Sequence, residues 1–176
     1  MFFMLLCGRK VRGVSEMDSK NVTTMLRDKG FKVTPQRLAI YDALCNTTEH
    51  PSAEMIFTGL QPEYPTMSLA TVYKTIDILK EIGLVQVLNV GEDSFRYDAN
   101  IAEHPHVRCM ICNRVDDIFG VDASTYLKNI AEETDYKLSG QQFYFYGICP
   151  ACQKKAVEKA AIKTEIIAET KKAAAS

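Results

Sequence analysis

The chain has 176 residues, of which 47% are hydrophobic and 24% are charged, and its formal net charge is −1. These values are typical of an ordinary globular protein and exclude a fibrous or low-complexity chain. No apolar run approaches the roughly 18 residues that a membrane-spanning helix needs, so the sequence predicts no membrane partner.

Residues 1–16 are predicted to be a disordered extension. The apolar run in MFFMLLCGRK is short, and its basic residues follow it, whereas a secretory signal places them before it. Met17 would serve equally well as a start. We therefore expect a cytoplasmic protein, in a reducing compartment where paired cysteines more often bind metal than form disulfides.

Helices dominate the predicted first half of the chain. A first helix covers residues 22–29. Three further apolar-periodic segments each begin after a residue suited to an N-cap. These N-caps are Thr34, Ser52 and Ser68. The helix after Thr34 is predicted to reach about Asn46, and the last helix, SLATVYKTIDILKEIG, to end at Gly83.

Two short strands are predicted after the helices. The segments VQVLNV and SFRYD are rich in β-branched and aromatic residues, and Gly-Glu-Asp between them predicts a hairpin. A run of short helices followed by a hairpin is the layout of a winged helix. Residues 17–98 are therefore predicted to form a winged-helix DNA-binding domain.

The last of the four helices has the pattern of a recognition helix. Its core-facing side is predicted to consist of Leu69, Val72, Ile76 and Leu79, and its opposite side of Ala70, Lys74, Asp77 and Glu81. The acidic residues are confined to the later turns, away from phosphates, if the helix enters the major groove N-terminus first. Lys74 is a candidate donor to guanine, and Tyr73 a candidate contact to a thymine methyl or a phosphate. The alternative is an amphipathic helix of any small domain.

A small α+β domain is predicted for residues 104–155, after a hinge at 99–103. Its elements are the strand HVRC, the strand VDDIF, a helix over about 123–133 and the strand QFYFYGI. We expect two chains to form a homodimer through this last strand and to read a pseudo-palindromic operator. The alternative is that the strand is buried inside the monomer. Residues 156–176, rich in Ala, Lys and Glu, predict a helical tail.

Two CxxC pairs predict a structural zinc site. Each pair offers two thiolates, and four thiolates complete a tetrahedral site with Zn–S bonds of about 2.3 Å. The predicted ligands are Cys109, Cys112, Cys149 and Cys152. A site with four protein ligands has no open position, so its predicted role is to stabilise a small domain. Cys7 and Cys45 are interpreted as a tail residue and a core residue.

The chain contains three histidines, and two of them are separated by one residue. In an extended segment His104 and His106 point to the same side. The other candidate ligands are His50, Asp98, Asp116 and Asp117. Imidazole and carboxylate together suit Fe(II), Mn(II) or Zn(II). A metal bound from both halves would fix their relative orientation, as a metal-responsive repressor requires, whereas exposed hinge histidines are the alternative.

Together these motifs resemble the ferric uptake regulator (Fur) family, and most closely its peroxide-responsive repressor (PerR) branch. The motifs are KVTPQR at 32–37, HPSAE at 50–54, MSLATVYKTIDIL at 67–79, the paired CxxC, and YGICPAC at 146–152. The resemblance covers about residues 20–155. It implies structural Zn(II) on the four paired cysteines. For regulatory Fe(II) or Mn(II) it implies the ligands His50, Asp98, His104, His106 and Asp117, with Asp116 as the fallback for Asp117. For DNA it implies contacts from Lys32, Ser68, Thr71, Tyr73 and Lys74.

The resemblance also implies a peroxide-sensing mechanism. Iron-sensing members carry glutamate at the equivalents of Asp98 and Asp117, together with additional histidines that this chain lacks. In the peroxide-responsive branch, five ligands leave Fe(II) an open position for hydrogen peroxide, and the histidines that become oxidised match His50 and His104. Oxidation weakens metal binding and DNA is released. With Mn(II) the repressor would not respond to peroxide.

The sequence leaves three other functions open. One is a repressor of the same family that responds to iron or manganese without sensing peroxide. Another is a non-haem iron enzyme, which we do not expect because no general acid–base pair is evident outside the ligand set. The third is a zinc-stabilised protein–protein module. Operator binding with different metals, peroxide turnover and failure to bind any duplex would respectively identify them.

Overall fold

The computed structural model describes residues 19–91, 95–121, 124–138 and 141–159. The predicted N-terminal extension, the middle of the hairpin turn and most of the predicted tail lie outside these residues. Cys7 also lies outside them. Among the helices that are described, none combines the length and the apolar character that crossing a bilayer requires.

The elements follow the predicted order, with four helices, four strands, a helix and a strand. The helices are α1 (Ser19–Asp28), α2 (Pro35–Cys45), α3 (Ala53–Leu60), α4 (Leu69–Glu81) and α5 (Ser124–Glu132). The strands are β1 (Gln86–Leu88), β2 (Arg96–Asp98), β3 (His106–Cys109), β4 (Val115–Asp117) and β5 (Tyr144–Gly147). Residues 150–159 are also helical. The predicted tail boundary at 156 therefore falls inside a helix.

The three predicted N-caps are present. The hydroxyl oxygens of Thr34, Ser52 and Ser68 accept hydrogen bonds from backbone N–H groups three residues later, at 3.2–3.3 Å. These bonds satisfy donors that have no partner within the first helical turn. At the other end of α4, Gly83 adopts φ 74°, and Leu84 N–H donates to Leu79 O at 2.8 Å. This left-handed exit, which glycine adopts readily, turns the chain into β1.

The N-terminal lobe consists of α1–α4 and the antiparallel hairpin β1–β2. Its core includes Leu26 from α1, Ile40 from α2 and Ile56 from α3, all almost fully buried. The predicted stripe of α4 packs into the same core, with Leu69 only half-buried because it begins the helix. The four residues predicted for the opposite side are exposed. The helix is therefore amphipathic in the predicted sense.

The C-terminal lobe contains a three-stranded sheet of order β4-β3-β5 together with α5. Strand β3 pairs antiparallel with β4 and parallel with β5. Strand β5 lies at an edge, and Phe145 and Tyr146 are 51% and 56% exposed. The alternative that this strand is buried inside the monomer is therefore wrong. The mixed helix-and-sheet fold class agrees with the prediction.

A second, smaller apolar cluster joins the two lobes. Leu88 at the end of β1, and Val90 two residues beyond it, pack with Val115 of β4 and with the half-buried ring of Tyr144. Polar contacts surround this cluster. Arg108 Nη1 donates to Val90 O at 3.1 Å, and Tyr144 Oη accepts from the backbone N–H of the hairpin residue Asn89 at 3.2 Å. The hairpin therefore lies directly against the sheet of the C-terminal lobe.

Candidate metal centres

The four predicted zinc ligands come together at one end of the C-terminal sheet. The parallel pairing of β3 with β5 places Cys109 opposite Gly147, so both cysteine pairs begin at the same end of these two strands. Cys112 Sγ and Cys149 Sγ are 3.7 Å apart, and all four sulfurs lie within 4.8 Å of one another. A tetrahedron with Zn–S bonds of about 2.3 Å has edges of about 3.8 Å. The spacing of the sulfurs therefore fits Zn(II).

The electrostatics of this four-cysteine cluster favour a bound cation. The backbone N–H of Cys149 donates to Cys109 Sγ at 3.3 Å and, with other local donors, lowers the pKa of Cys109 to about 6. Hydrogen bonds with the other thiols, first with Cys149, raise the pKa of Cys152 to about 12. The surroundings therefore favour the thiolate form of Cys109 and disfavour the thiolate form of Cys152. A divalent cation bound among the sulfurs would favour the thiolate form of both Cys109 and Cys152.

A second cluster contains the five residues predicted to bind the regulatory metal. One ligand atom from each of His50, Asp98, His104, His106 and Asp117 lies within 4.8 Å of the others. Asp117 Oδ1 is 2.8 Å from His50 Nε2 and 2.9 Å from His104 Nε2. Asp98 Oδ2 is 3.3–3.7 Å from the Nε2 atoms of all three histidines. Metal–ligand bonds of about 2.1 Å place neighbouring donors about 3 Å apart, which agrees with these distances.

Strand register decides which of two adjacent aspartates joins the five-residue cluster. The antiparallel pairing sets His106 opposite Asp117, so both side chains project from the same face of the sheet. Asp116 projects from the other face and forms an ion pair with Arg114 at 2.6 Å. The fallback ligand Asp116 is therefore outside the cluster.

Backbone contacts hold His50 beside the hairpin. His50 adopts φ 47°, a conformation that non-glycine residues rarely take and that persists only where neighbouring structure enforces it. The backbone N–H of Tyr97 on β2 donates to Pro51 O at 3.2 Å. Because Tyr97 precedes Asp98, this bond brings the imidazole of His50 to the carboxylate of Asp98.

Burial and charge shift the ionisation of the five-residue cluster. Burial alone would lower the pKa of His50, but Asp117 and Asp98 outweigh it and raise that pKa to about 9. Hydrogen bonds to Asp117 and Asp98 raise the pKa of His104 to about 10. For both aspartates burial opposes ionisation, yet the histidines lower the pKa of Asp117 to about 2 and hold that of Asp98 well below its ordinary range.

One buried nitrogen indicates that the five-residue cluster is suited to a metal rather than to protons alone. His106 Nε2 makes no hydrogen bond, although it lies 3.5–3.6 Å from a carboxylate oxygen of each aspartate. A buried polar atom without a partner is costly. A divalent cation among the five donors would bind this nitrogen and both carboxylates at once. The residues present therefore fit Fe(II) or Mn(II).

Two residues that the sequence analysis missed surround Asp98. Gln86 Nε2 donates to Asp98 Oδ2 at 3.0 Å, and the backbone N–H of Asn100 donates to Asp98 Oδ1 at 2.7 Å. Asn100 belongs to the predicted hinge but is 5% exposed. The predicted hairpin could have identified Gln86, because antiparallel pairing makes Gln86 the cross-strand partner of Asp98.

The residues predicted to contact DNA occupy two places. Ser68, Tyr73 and Lys74 are exposed near the start of α4, and Lys32 is exposed on the loop between α1 and α2. Thr71 is half-buried, and its hydroxyl is 2.9 Å from that of Ser68. The Tyr73 hydroxyl donates to a carboxylate oxygen of Glu54 on α3.

The chain is similar in sequence and in fold to known proteins of one family. The model of the ferric uptake regulator family matches residues 28–146. The transcriptional regulator PerR of Clostridium acetobutylicum is 50% identical over 136 residues, which cover 77% of this chain and 99% of that protein. The solved Campylobacter jejuni peroxide stress regulator is 33% identical with a TM-score of 0.60, covering 74% of this chain and 98% of that one. The solved Helicobacter pylori ferric uptake regulator is 20% identical with a TM-score of 0.65, and the match covers 76% of this chain and 90% of that protein. At this identity the likeness establishes only a shared fold.

Proposed function

Because the chain belongs to the ferric uptake regulator family, we propose that it is a metal-dependent DNA-binding repressor that responds to hydrogen peroxide. It is a transcriptional regulator and not an enzyme. The observation that carries this function is the five-residue cluster, whose donors come from both lobes. His50 and Asp98 belong to the N-terminal lobe, and the other three donors belong to the C-terminal lobe. Relatives named PerR and peroxide stress regulator support the same sensing function.

In this proposal the two clusters have different roles. Zn(II) on Cys109, Cys112, Cys149 and Cys152 stabilises the C-terminal lobe. Fe(II) or Mn(II) on the five-residue cluster fixes one lobe against the other, so that metal binding selects the DNA-binding arrangement. Division of the chain into a DNA-binding domain (17–98), a hinge (99–103) and a dimerisation domain (104–155) is part of the proposal.

Peroxide acts on the ligands themselves. Fe(II) held by the five-residue cluster would supply the redox chemistry that turns hydrogen peroxide into an oxidant of the neighbouring imidazoles. The residues oxidised are His50 and His104, whose Nε2 atoms share the same oxygen of Asp117. The O–O bond of hydrogen peroxide breaks, one oxygen is added to the imidazole ring and the other leaves as water. The oxidised ring is a weaker donor to a metal. The link between the lobes is then lost, because each lobe contributes one of the two histidines.

The DNA-binding surface comprises the start of α4 and the loop before α2. Lys74 and Tyr73 approach base edges or phosphates, and Lys32 approaches phosphates or the minor groove. Two copies of the chain, joined through the exposed edge of β5, read a pseudo-palindromic operator, because a two-fold dimer presents two equivalent α4 helices. The proposal includes a location in the cytoplasm, where operator DNA lies and where paired cysteines stay reduced and bind metal.

One experiment tests the whole function. Binding to a pseudo-palindromic duplex is measured with Fe(II) or Mn(II), before and after micromolar peroxide. We expect both metals to support binding and peroxide to abolish it only in the Fe(II) form. Mass spectrometry should then find one added oxygen on the peptides that contain His50 or His104. Oxidation confined to methionine or cysteine would contradict the sensing mechanism, and binding unaffected by peroxide would favour a repressor that responds to iron or manganese alone.

A further inference from the structure

The carboxylate of Asp98 is fixed by two amide donors of the chain. Its Oδ2 atom faces the three histidines and also accepts from Gln86 Nε2 at 3.0 Å. Its Oδ1 atom accepts from the backbone N–H of Asn100 at 2.7 Å. Gln86 Nε2 donates to Asn100 O as well, so its own position is set by two acceptors. Each oxygen of Asp98 therefore has a separate amide donor.

The two aspartates of the five-residue cluster differ in this respect. Among the described residues, only histidines donate to the carboxylate of Asp117. Asp98 in contrast is held by polar groups that are not candidate ligands. Turning Asp98 so that both oxygens faced the histidines would break the bond from Asn100 and disturb the bond from Gln86. Hydrogen-bonded groups around a metal ligand restrict its orientation in this way.

We propose that Gln86 is a positioning residue that keeps Asp98 a one-oxygen ligand of the regulatory metal. This inference rests on the proposed function. Five single-atom ligands leave one position of a six-coordinate ion for an exogenous molecule such as water or hydrogen peroxide. A second oxygen from Asp98 would occupy that position. Gln86 holds Oδ2 directly, and through its bond to Asn100 O it also holds the residue whose N–H keeps Oδ1 turned away. Removal of the Gln86 donor would therefore free the carboxylate of Asp98 to turn and block peroxide, although Gln86 contacts neither the metal nor peroxide.

Three variants separate this role from a general effect on the fold. Gln86→Met keeps the length of the side chain and removes the donor, while Gln86→Lys restores an N–H donor at similar reach. Gln142→Met is the matched control, because Gln142 Nε2 donates to the hairpin at Val87 O (3.2 Å) but is not part of the five-residue cluster. Each variant is compared with the wild type as full-length, zinc-loaded protein.

The first measurement uses Mn(II) as the probe and needs no peroxide. Water-proton relaxation of the Mn(II) protein reports whether an exchangeable water remains on the ion. We expect the wild type, Gln86→Lys and Gln142→Met to retain this water signal and Gln86→Met to lose most of it while still binding Mn(II). An unchanged signal in Gln86→Met would overturn the inference. Loss of Mn(II) binding beyond about 100-fold would also overturn it, since Gln86 would then be required for binding itself.

The second measurement follows oxidation of the Fe(II) form by peroxide. We expect oxygen addition to His50 and His104 to be slower by about 10-fold or more in Gln86→Met, and near the wild-type rate in the other two variants. An equal rate in Gln86→Met and the wild type would refute the role of Gln86. If the histidines of the wild type stay unoxidised, the proposed peroxide response fails instead, and the Mn(II) relaxation measurement still decides the role of Gln86.

Discussion

Replacement of Leu88 by alanine should weaken regulatory metal binding although Leu88 is not one of the five ligands. Leu88 is 1% exposed and belongs to the small cluster that joins the hairpin to the C-terminal sheet. Truncation of a buried leucine costs about 2–5 kcal/mol, and the small size of this cluster favours the lower end, about 2–3 kcal/mol. The metal needs donors from both lobes, so a loosened contact between the lobes lowers the fraction of binding-competent protein.

The expected rise in the Kd for Mn(II) is between about 5-fold and 100-fold, since about 1.4 kcal/mol corresponds to a factor of ten and 2–3 kcal/mol sets the upper limit. A competition titration against a fluorescent chelator, on zinc-loaded protein, measures it. Leu26→Ala is the matched control, because Leu26 is 0% exposed and lies in the main core of the N-terminal lobe. It should lower the free energy of unfolding while the Kd stays within about twofold. A Leu88→Ala protein with the wild-type Kd would refute the reasoning.

Three further predictions follow from the same structure. Cys112→Ser should lose zinc and dissociate the dimer, measured by metal analysis and analytical ultracentrifugation, whereas Cys45→Ser, outside the four-cysteine cluster, should retain both. Lys74→Ala should weaken operator binding without changing the unfolding midpoint, and unchanged binding would contradict this. A shallower dependence on salt concentration would identify the lost contact as one to phosphate, and relaxed base preference would identify it as one to a base. At pH 7 the raised pKa values of His50 (about 9) and His104 (about 10) leave both imidazoles protonated in the metal-free protein, so Mn(II) binding should release about two protons and weaken as the pH falls. Calorimetry in buffers of different ionisation enthalpy counts these protons, and a release of less than one would contradict the prediction. The free energy of unfolding of the metal-free protein should depend on pH in the opposite direction. The charged histidines contribute their full stabilisation below their unfolded pKa, and this stabilisation is lost as the pH rises through 9–10.

Features that depend on local sequence could be predicted. The N-caps at Thr34, Ser52 and Ser68 follow from short side chains that compete for backbone donors, and this competition needs no tertiary information. The stripe on α4 follows from helical periodicity. The four-cysteine cluster was predictable for a different reason. Each CxxC pair already offers two thiolates, so the fold had only to bring two preformed halves together.

Features that depend on pairing between distant segments could not be predicted in this way. Spacing alone offered both Asp116 and Asp117, and the resemblance to the family selected Asp117 with Asp116 as the fallback. The register opposite His106 supplies the physical reason, because it places Asp117 on the side of the histidines. A shift of one residue would exchange the two aspartates, since successive strand residues face opposite sides. The parallel pairing of β3 with β5, which aligns the two cysteine pairs, likewise joins strands far apart in the chain.

The contact between Gln86 and Asp98 also depends on pairing between distant segments, so the sequence alone did not indicate it. Gln86 is a polar residue in the otherwise apolar run LVQV, and it acquires a role only because the hairpin sets it opposite Asp98. That hairpin is in turn held against the C-terminal sheet by Leu88, two residues further along β1. One strand therefore both orients a ligand and fixes the lobe that supplies it. Substitutions along β1 should consequently alter metal binding and peroxide access separately, Leu88 affecting the first and Gln86 the second.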